Sequence, residues 1–242
     1  MPGQPPPPVI EHHHRNIQGG AARAAVFGLN DGLVSNVAII LGMAGANAQP
    51  GVVRLAGLAG LIGGAFSMAS GEYGSMKAQA ELLEAELEME RVEIERRPEN
   101  ERRELAAIYR SRGIEAGAAD EMATQMHRDP EVALETHARE ELGIDPSQLG
   151  SPLMSAGSSF AAFALGALVP LLPWFLGSGD AATIASAVIG AVVACIVGVV
   201  LSRFTGRSPV RTAARYLGLA ALAAGVTYVV GSIVGLGASA VA

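Results

Sequence analysis

The sequence predicts an all-α, polytopic membrane protein with five transmembrane helices and a small helical domain inserted between the second and the third. Half of the 242 residues are hydrophobic and only 17% are charged, and the mean hydropathy is +0.34. Residues 146–179, 181–202 and 216–242 contain no charged side chain. Each stretch is longer than the roughly 20 apolar residues that cross a bilayer. A chain of this length is too short to bury five such helices inside a soluble protein.

The first two predicted spans occupy residues 21–75. Two acidic residues, Asp31 and Glu72, interrupt their apolar sequence. An ionisable group inside a span costs about 2.5–3.5 kcal/mol on insertion scales, so Asp31 is a candidate for function, whereas Glu72 lies near the end of its span and could simply reach the headgroups. The last three spans occupy residues 151–242, and the lone cysteine there is expected to pack as a small apolar residue.

Residues 76–150 form the one long polar segment. They include 19 of the 23 acidic and 10 of the 17 basic residues, which gives a net charge of −9. Residues 77–97 contain neither Gly nor Pro, so the second span is expected to continue as one long helix that ends at Pro98. Three further helices are predicted, from Pro98 to about residue 112, from about 116 to 127, and from 130 to 142. The segment is therefore expected to be a small helical bundle.

The distribution of basic residues predicts the orientation. Lys and Arg flank the helix ends next to the N-terminus, the polar segment and the link between spans four and five, whereas the opposite ends carry only Arg54. The N-terminus and residues 76–150 are therefore expected in the cytoplasm and the C-terminus outside. Residues 1–20 have no signal-peptide pattern and are expected to be a flexible tail. The run His12–His14 in this tail could scavenge metal, although an unstructured tail is favoured.

Acidic residues at helical spacing form a candidate metal site in the polar segment. The long helix carries glutamates at i, i+4 and i+7, which share a stripe about 60° wide beside apolar residues. The next helix repeats a three-residue spacing, and a histidine and a glutamate lie one turn apart near the end of the segment. These residues are Glu86, Glu90, Glu93, Glu101, Glu104, His137 and Glu141. Carboxylates with an imidazole suit Fe(II), Mn(II) or a similar divalent metal.

The alternative interpretation of the same residues is a solvated, salt-bridged surface, because arginines are interleaved with the glutamates. Glu84, Glu88 and Glu95 fall on another face of the long helix and are expected to be of this solvated kind. In the membrane, Met68 and Glu72 lie one turn apart on the second span. A thioether beside carboxylates favours a transition metal over Mg(II), provided that Asp31 and Glu72 face the same space.

Five segments resemble the vacuolar iron transporter family in their order and separation. They are AAVFGLNDGLVSN (24–36), FSMASGEY (66–73), ELGIDP (141–146), GALVPLLP (166–173) and AGVTYVVG (224–231). The resemblance runs from about Arg15 to the C-terminus and is to bacterial-type members with a cytoplasmic metal-binding domain. It implies a homodimer with the metal path at the dimer interface. It also implies export of Fe(II), and often Mn(II), from the cytosol in exchange for protons, here across the inner membrane of a bacterium.

The resemblance also assigns site residues by position. The family's cytoplasmic metal-binding glutamates correspond to Glu90, Glu93, Glu101, Glu104 and Glu141, and its membrane-path ligands correspond to Asp31 and Met68. The sequence departs from the family at two positions. His137 stands where the family has a methionine ligand, which is expected to keep metal binding but harden the site. Gly60 stands where the family has a membrane glutamate, and Glu72 could take over from that missing acid.

We therefore expect a transporter rather than an enzyme. The glutamate cluster would gather Fe(II) and pass it to Asp31 and Met68, and protons would compete for the same carboxylates. One alternative is a carboxylate iron oxidase or storage protein, but its Glu-x-x-His pairs do not occur between residues 76 and 150. Another is a membrane-anchored metal sensor, which would need neither five spans nor Asp31. Co(II) and Zn(II) remain possible substrates, and the expected partners are the bilayer, a second copy and metal ions, with no nucleic acid.

Overall fold

The computed structural model describes residues 20–143 and 150–241, and within these ranges it contains helices and no strand. The helices are α1 (Gly20–Gly45), α2 (Pro50–Arg96), α3 (Pro98–Ser111), α4 (Ala116–Met126), α5 (Pro130–Glu140), α6 (Pro152–Leu171), α7 (Pro173–Leu176), α8 (Gly179–Thr205) and α9 (Pro209–Val241). The predicted all-α class is confirmed. Residues 1–19 of the predicted tail, including the run His12–His14, lie outside the described residues, and so do residues 144–149.

Five of these helices are long and apolar enough to cross a membrane, namely α1, α2, α6, α8 and α9. This confirms the predicted number of spans and their order along the chain. The prediction that the second span continues as one long helix up to Pro98 is also confirmed, because α2 is a single helix of 47 residues that ends at Arg96. Such a helix is about 70 Å long, more than twice the thickness of the hydrocarbon core. Its charged second half, from about residue 76, must therefore extend beyond the bilayer.

Helix α1 lies at the centre of the apolar part and packs against α2, α6, α8 and α9. Its contact with α6 depends on glycine, since a Cβ atom at Gly32 would overlap the backbone of Phe163, and one at Gly166 would overlap the backbone of Leu29. Small residues at such crossings let helix backbones approach closely in a membrane. The buried side chain of Asn36 adds a hydrogen bond of 2.5 Å from Nδ2 to the carbonyl of Ala167.

The second half of α2 and helices α3, α4 and α5 form a small bundle, which we call the polar domain. Its apolar contacts fall into two groups. One joins α3 to α4 through Leu105, Ala106, Tyr109, Ala119 and Ala123. The other joins α2 to α5 through Ile94, Ala133 and Leu134. The first group fixes the face that α3 turns toward α4, and the second fixes the face that α5 turns toward α2.

Side chains at the helix ends complete the polar domain. Asp129 caps α5 by accepting a hydrogen bond of 2.9 Å from the backbone N–H of Glu131. At the other end of α5, Arg112 contacts the Glu140 carboxylate and donates a hydrogen bond of 2.9 Å to the Glu140 carbonyl. A cation at a helix C-terminus satisfies a carbonyl that has no partner within the helix. Arg112 thereby holds the end of α5 from which Glu141 extends.

Candidate metal centre

Three buried residues from three helices meet in the polar domain. Glu90 of α2, Glu101 of α3 and His137 of α5 each offer one ligand atom, and these atoms all lie within 4.8 Å of one another. The three residues are 6%, 7% and 0% exposed, respectively. Buried carboxylates this close together repel one another unless a proton or a cation joins them. We call Glu90, Glu101 and His137 the acidic cluster.

The His137 ring presents its Nδ1 atom to the carboxylates. This atom lies 2.9 Å from Oε1 of Glu90 and 3.4 Å from Oε2 of Glu141. Oε1 of Glu90 is nevertheless without a hydrogen bond of normal geometry to any described residue. A buried carboxylate oxygen in this state is costly unless something else satisfies it. Its place between an imidazole and a second carboxylate suits a divalent cation with oxygen and nitrogen ligands.

Two carboxyl groups of the acidic cluster have raised pKa values. The pKa of Glu90 is raised to about 7, mainly by burial; the charges of Glu141, Glu101 and Glu93 also raise it, and that of His137 lowers it. Burial also raises the pKa of Glu101, assisted mainly by Glu104 and Glu93. Both carboxyl groups lie outside the membrane-spanning segments. Protons and cations therefore compete for these carboxylates near neutral pH if a cation binds there.

The other glutamates of the predicted set lie around the cluster rather than in it. Glu93 and Glu104 are exposed, and Glu86 is half-buried. Glu93 and Glu104 are still close enough to raise the pKa of Glu101. Glu84, Glu88 and Glu95 are exposed, as expected for solvating residues. The structure thus brings Glu90, Glu101, His137 and Glu141 together and leaves Glu93 and Glu104 at the rim.

Six arginines of the polar domain pair with carboxylates outside the acidic cluster. The pairs are Arg91 with Glu131, Arg102 and Arg103 with Glu99, Arg110 with Asp120, Arg112 with Glu140, and Arg139 with Glu135. The salt-bridged surface that formed the alternative interpretation therefore exists, but these pairs involve residues outside the acidic cluster. The imidazole of His137 contacts both Glu90 and Glu141.

Sequence reasoning missed His127. Its Nε2 atom lies 3.1 Å from Nε2 of His137, on the side of that ring opposite the carboxylates. His127 follows the last residue of α4, and the turn to α5 brings the two rings together edge to face. Burial lowers the pKa of His127, and the nearby His137 and Arg102 lower it further. The ten-residue separation has no helical periodicity, so only the turn between α4 and α5 could have signalled the contact.

A second group of candidate residues lines one cleft between α1 and α2. The cleft has a volume of about 380 Å³ and is lined by Arg23, Ala24, Phe27, Asn30, Asp31, Met68 and Glu72. The prediction of a metal path required that Asp31 and Glu72 face the same space, and both residues line this cleft. We call this space the membrane cleft.

Two polar contacts hold the acidic groups of the membrane cleft. Oδ1 of Asp31 accepts a hydrogen bond of 3.4 Å from the Ser35 hydroxyl one turn away. Oε1 of Glu72 lies 3.3 Å from the guanidinium of Arg23, which is more exposed than its partner. Asp31 itself is exposed on the surface of this single chain. An uncovered carboxylate within an apolar span is costly in lipid, which indicates that water or another chain covers the cleft.

Comparison with known proteins identifies the family. Residues 22–232 match the VIT family. The chain belongs to the VIT family. It is 34% identical to vacuolar iron transporter 2 of Oryza sativa subsp. japonica over 211 residues, which are 87% of this chain and 86% of the relative. It is 32% identical to vacuolar iron transporter 1 of Arabidopsis thaliana over 217 residues, 89% of this chain and 87% of the relative.

A third relative matches a shorter region. The vacuolar iron transporter of Acanthamoeba castellanii is 43% identical over 154 residues, 63% of this chain and 55% of the relative. The resemblance inferred from the five sequence segments is thereby confirmed. These relatives carry the names of transporters, which confirms the expectation that this VIT-family chain is not an enzyme.

The VIT-family chain has no side chain at position 60, where the resemblance implies a glutamate. A Cβ atom at Gly60 would lie 2.5 Å from Cδ1 of Ile39 and 3.2 Å from Oδ1 of Asn36. Position 60 therefore faces the packed side of α1, whereas Glu72 lines the membrane cleft with Met68. That Glu72 takes over from the missing acid stays a prediction.

Proposed function

We propose that this protein exports Fe(II), and also Mn(II), from the cytosol across the bacterial inner membrane in exchange for protons. The observation that carries the proposal is that one helix, α2, contributes to both candidate sites. It supplies Met68 and Glu72 to the membrane cleft and Glu90 to the acidic cluster. The names of the relatives, which are iron transporters, support iron as the substrate. Co(II) and Zn(II) prefer similar ligands and are secondary candidates.

Capture of the metal would take place in the acidic cluster. Glu90, Glu101 and His137 supply two carboxylates and one imidazole, and the exposed rim residues Glu93 and Glu104 add negative charge that attracts cations from the cytoplasm. Glu141 lies within reach of the same imidazole nitrogen as Glu90. Oxygen-rich coordination with one imidazole is suited to Fe(II) and Mn(II), and is a poor match to Cu(I), which prefers sulfur ligands.

Conduction would follow through the membrane cleft. Asp31 supplies a carboxylate and Met68 a thioether, and Glu72 lies on the same wall of the cleft as Met68. Eighteen residues of helix separate Glu72 from Glu90, which corresponds to about 27 Å along α2. The metal must therefore leave the acidic cluster and travel along α2 to reach the cleft. We infer that α2 acts as one rigid element between the two sites.

Exchange with protons follows from the chemistry of carboxylates in a medium of low dielectric constant. Such a group is stable with a bound proton or a bound cation, and is unfavourable when bare and charged. Entry of a proton from the far side would release the metal from Asp31, and loss of that proton to the cytoplasm would prepare the site for the next ion. The raised pKa of Glu90, about 7, gives the capture site the same property at neutral pH.

A homodimer would explain why the cleft is uncovered in a single chain. Asp31 is exposed, and the apolar part of α2 is only 17% buried. A second copy related by two-fold symmetry could place two clefts against each other and close them from lipid. In a Cys195→Ala background, a cysteine introduced at Gly71 beside the cleft should cross-link two chains in membranes, and one introduced at Leu222 on exposed α9 should not. Efficient cross-linking only at Leu222 would contradict this interface.

The proposed transport is tested in proteoliposomes that contain an internal Fe(II) indicator. Chains whose polar domain faces outward should take up Fe(II), and an acidic interior should accelerate the uptake. Asp31→Asn should reduce the initial rate at least about tenfold, since loss of a metal ligand costs at least as much as loss of its supporting partner. Asp180→Asn, an exposed acid in the first turn of α8, is the matched control. Uptake that is unaffected by the pH gradient and by Asp31→Asn would overturn the proposal.

A further inference from the structure

His137 of the acidic cluster also contacts a second histidine, His127. The Nε2 atoms of His127 and His137 are 3.1 Å apart, and the two rings meet at an interplanar angle of 80°. This distance is that of a hydrogen bond between the two nitrogens. The His137 ring is fully buried and the His127 ring is half-buried. The Nε2 atom of His137 therefore depends on His127, rather than on bulk water, for a hydrogen-bond partner.

The two nitrogens of His137 have different surroundings. Nδ1 faces Glu90 and Glu141, and Nε2 faces His127. A metal ion held with these carboxylates would therefore bind at Nδ1, which must then carry no proton. A neutral imidazole has one N–H group, so the ring proton of a metal-bound His137 resides on Nε2. In a fully buried ring this N–H group needs an acceptor, because an unsatisfied buried donor is destabilising.

We propose that His127 is a positioning residue for the metal site, whose Nε2 atom accepts a hydrogen bond from Nε2–H of His137 and so leaves Nδ1 of His137 free for the metal. This inference rests on the proposed role of the acidic cluster as the capture site. A metal-binding histidine commonly donates its second ring N–H to a carboxylate, a carbonyl or a water, and that contact fixes its tautomer and orientation. Here a second imidazole takes the place of those acceptors.

The protons of the pair balance when a metal binds. Without metal, Nδ1–H of His137 faces Glu90, and Nε2 of His137 accepts a hydrogen bond from Nε2–H of His127. Metal binding displaces the Nδ1 proton to solvent, and the shared proton moves from His127 to Nε2 of His137. Nδ1 of His127 then takes one proton from solvent, which the half-buried position of this ring permits. Each ring is neutral before and after, and each carries one proton.

A purely structural role for His127 predicts different behaviour. Its backbone N–H donates to the carbonyl of Ala123, 3.1 Å away, at the end of α4. This contact is independent of the side chain, so a substitution that preserves the shape of the ring should preserve the turn. His127→Phe keeps an aromatic ring without an acceptor, and His127→Gln keeps an acceptor without the aromatic ring. The two variants therefore separate packing from hydrogen bonding.

The test measures equilibrium binding of Co(II) to the full-length protein in detergent by calorimetry. His127→Phe should weaken Co(II) binding about tenfold, the lower end of the effect expected for a residue that supports a metal ligand. His127→Gln should bind within about threefold of wild type, by the same argument. In a His137→Ala background, His127→Phe should cause no further loss. Gln125→Ala, at an exposed position two residues earlier on α4, is the control for nonspecific effects.

A spectroscopic measurement reports the tautomer directly. In protein labelled with ¹⁵N-histidine and loaded with diamagnetic Zn(II), the His137 signals should show metal at Nδ1 and a proton at Nε2. In His127→Phe loaded to the same occupancy, the Nε2–H signal should exchange faster with water. The role of His127 would be overturned if His127→Phe bound Co(II) with wild-type affinity. It would also be overturned if His127→Phe weakened Co(II) binding as much in the His137→Ala background as in the wild type. Either result would leave Fe(II) uptake by the wild type, and thus the proposed function, intact. Absence of Co(II) binding in wild type would instead overturn the capture site itself.

Discussion

Nδ1 of His137 lies 2.9 Å from Oε1 of Glu90, although the two residues belong to helices that are far apart in the chain. This contact joins α5 to the part of α2 that extends beyond the bilayer. Because α2 is continuous from Pro50 to Arg96, the helix that carries Glu90 of the acidic cluster also carries Met68 and Glu72 of the membrane cleft.

The raised pKa of Glu90 predicts a pH dependence of stability. The carboxyl has an ordinary pKa of 4.5 when unfolded and about 7 when folded, so the folded state binds more protons between these values. Its contribution to the free energy of unfolding is present below about pH 4.5 and is lost as the pH rises through about 7. Metal-free Glu90→Gln should therefore lose less stability than wild type between pH 5 and about 8, as measured by thermal unfolding in detergent.

The same titration affects metal binding with the opposite sign. A metal requires the deprotonated carboxylate, so Co(II) affinity of the wild type should rise with pH up to about 7 and then level off. Glu84→Gln, on the solvated face of α2, should leave both profiles unchanged. A Glu90→Gln variant whose melting temperature falls with pH as steeply as that of wild type would contradict the assignment of Glu90.

The ion pair between Arg23 and Glu72 predicts that the membrane cleft contains its own competing cation. The guanidinium lies 3.3 Å from Oε1 of Glu72, where a metal ion would also be attracted. Arg23→Gln should therefore lower the KM for Fe(II) uptake about threefold with little change in kcat, an effect within the range of one exposed ion pair. Glu72→Gln should raise KM, and Arg54→Gln on the same helix is the control. If Arg23→Gln and Glu72→Gln changed the KM for Fe(II) equally and in the same direction, this would contradict a competition between Arg23 and the metal for Glu72.

The close crossing of α1 and α6 predicts a position-dependent effect of alanine. A Cβ atom at Gly166 would overlap the backbone of Leu29, whereas one at Gly157 on the same helix meets nothing within 4 Å. Gly166→Ala should destabilise the protein by about 1–3 kcal/mol. Gly157→Ala should stabilise it slightly, by up to about 1 kcal/mol, because alanine favours the helix. Thermal unfolding in detergent measures both, and equal melting temperatures would contradict the crossing.

Much of the fold follows from local sequence features. Uncharged stretches define the spans, and Pro98 ends α2 because a proline disfavours helical geometry in the residue before it. Glu90 and Glu101 were also identifiable as candidate ligands, because both belong to the glutamates at helical spacing on either side of Pro98. The sequence did not separate buried Glu90 from exposed Glu93, since both lie within one narrow stripe. Which of them is buried depends on the packing of Ile94 against α5.

Contacts between residues that are far apart in the chain could not be predicted from the sequence. The pairing of Arg23 with Glu72 requires the crossing of α1 and α2, and the contact between His127 and His137 requires the exact turn between α4 and α5. Neither pair has a spacing that a helix or a strand would repeat. The resemblance to the iron transporters did not reveal them either, because it assigns residues position by position and does not show which residues lie next to one another.

The central claim is that metal is captured in the acidic cluster and conducted through the membrane cleft. Its most direct test measures Co(II) binding and Fe(II) uptake on the same preparation of Asp31→Asn and of a Glu90→Gln/Glu101→Gln double variant. The account predicts that Asp31→Asn keeps high-affinity binding and loses uptake, whereas the double variant loses high-affinity binding and takes up Fe(II) only at raised concentration. Uptake by Asp31→Asn at the wild-type rate, or unchanged Co(II) affinity in the double variant, would contradict it.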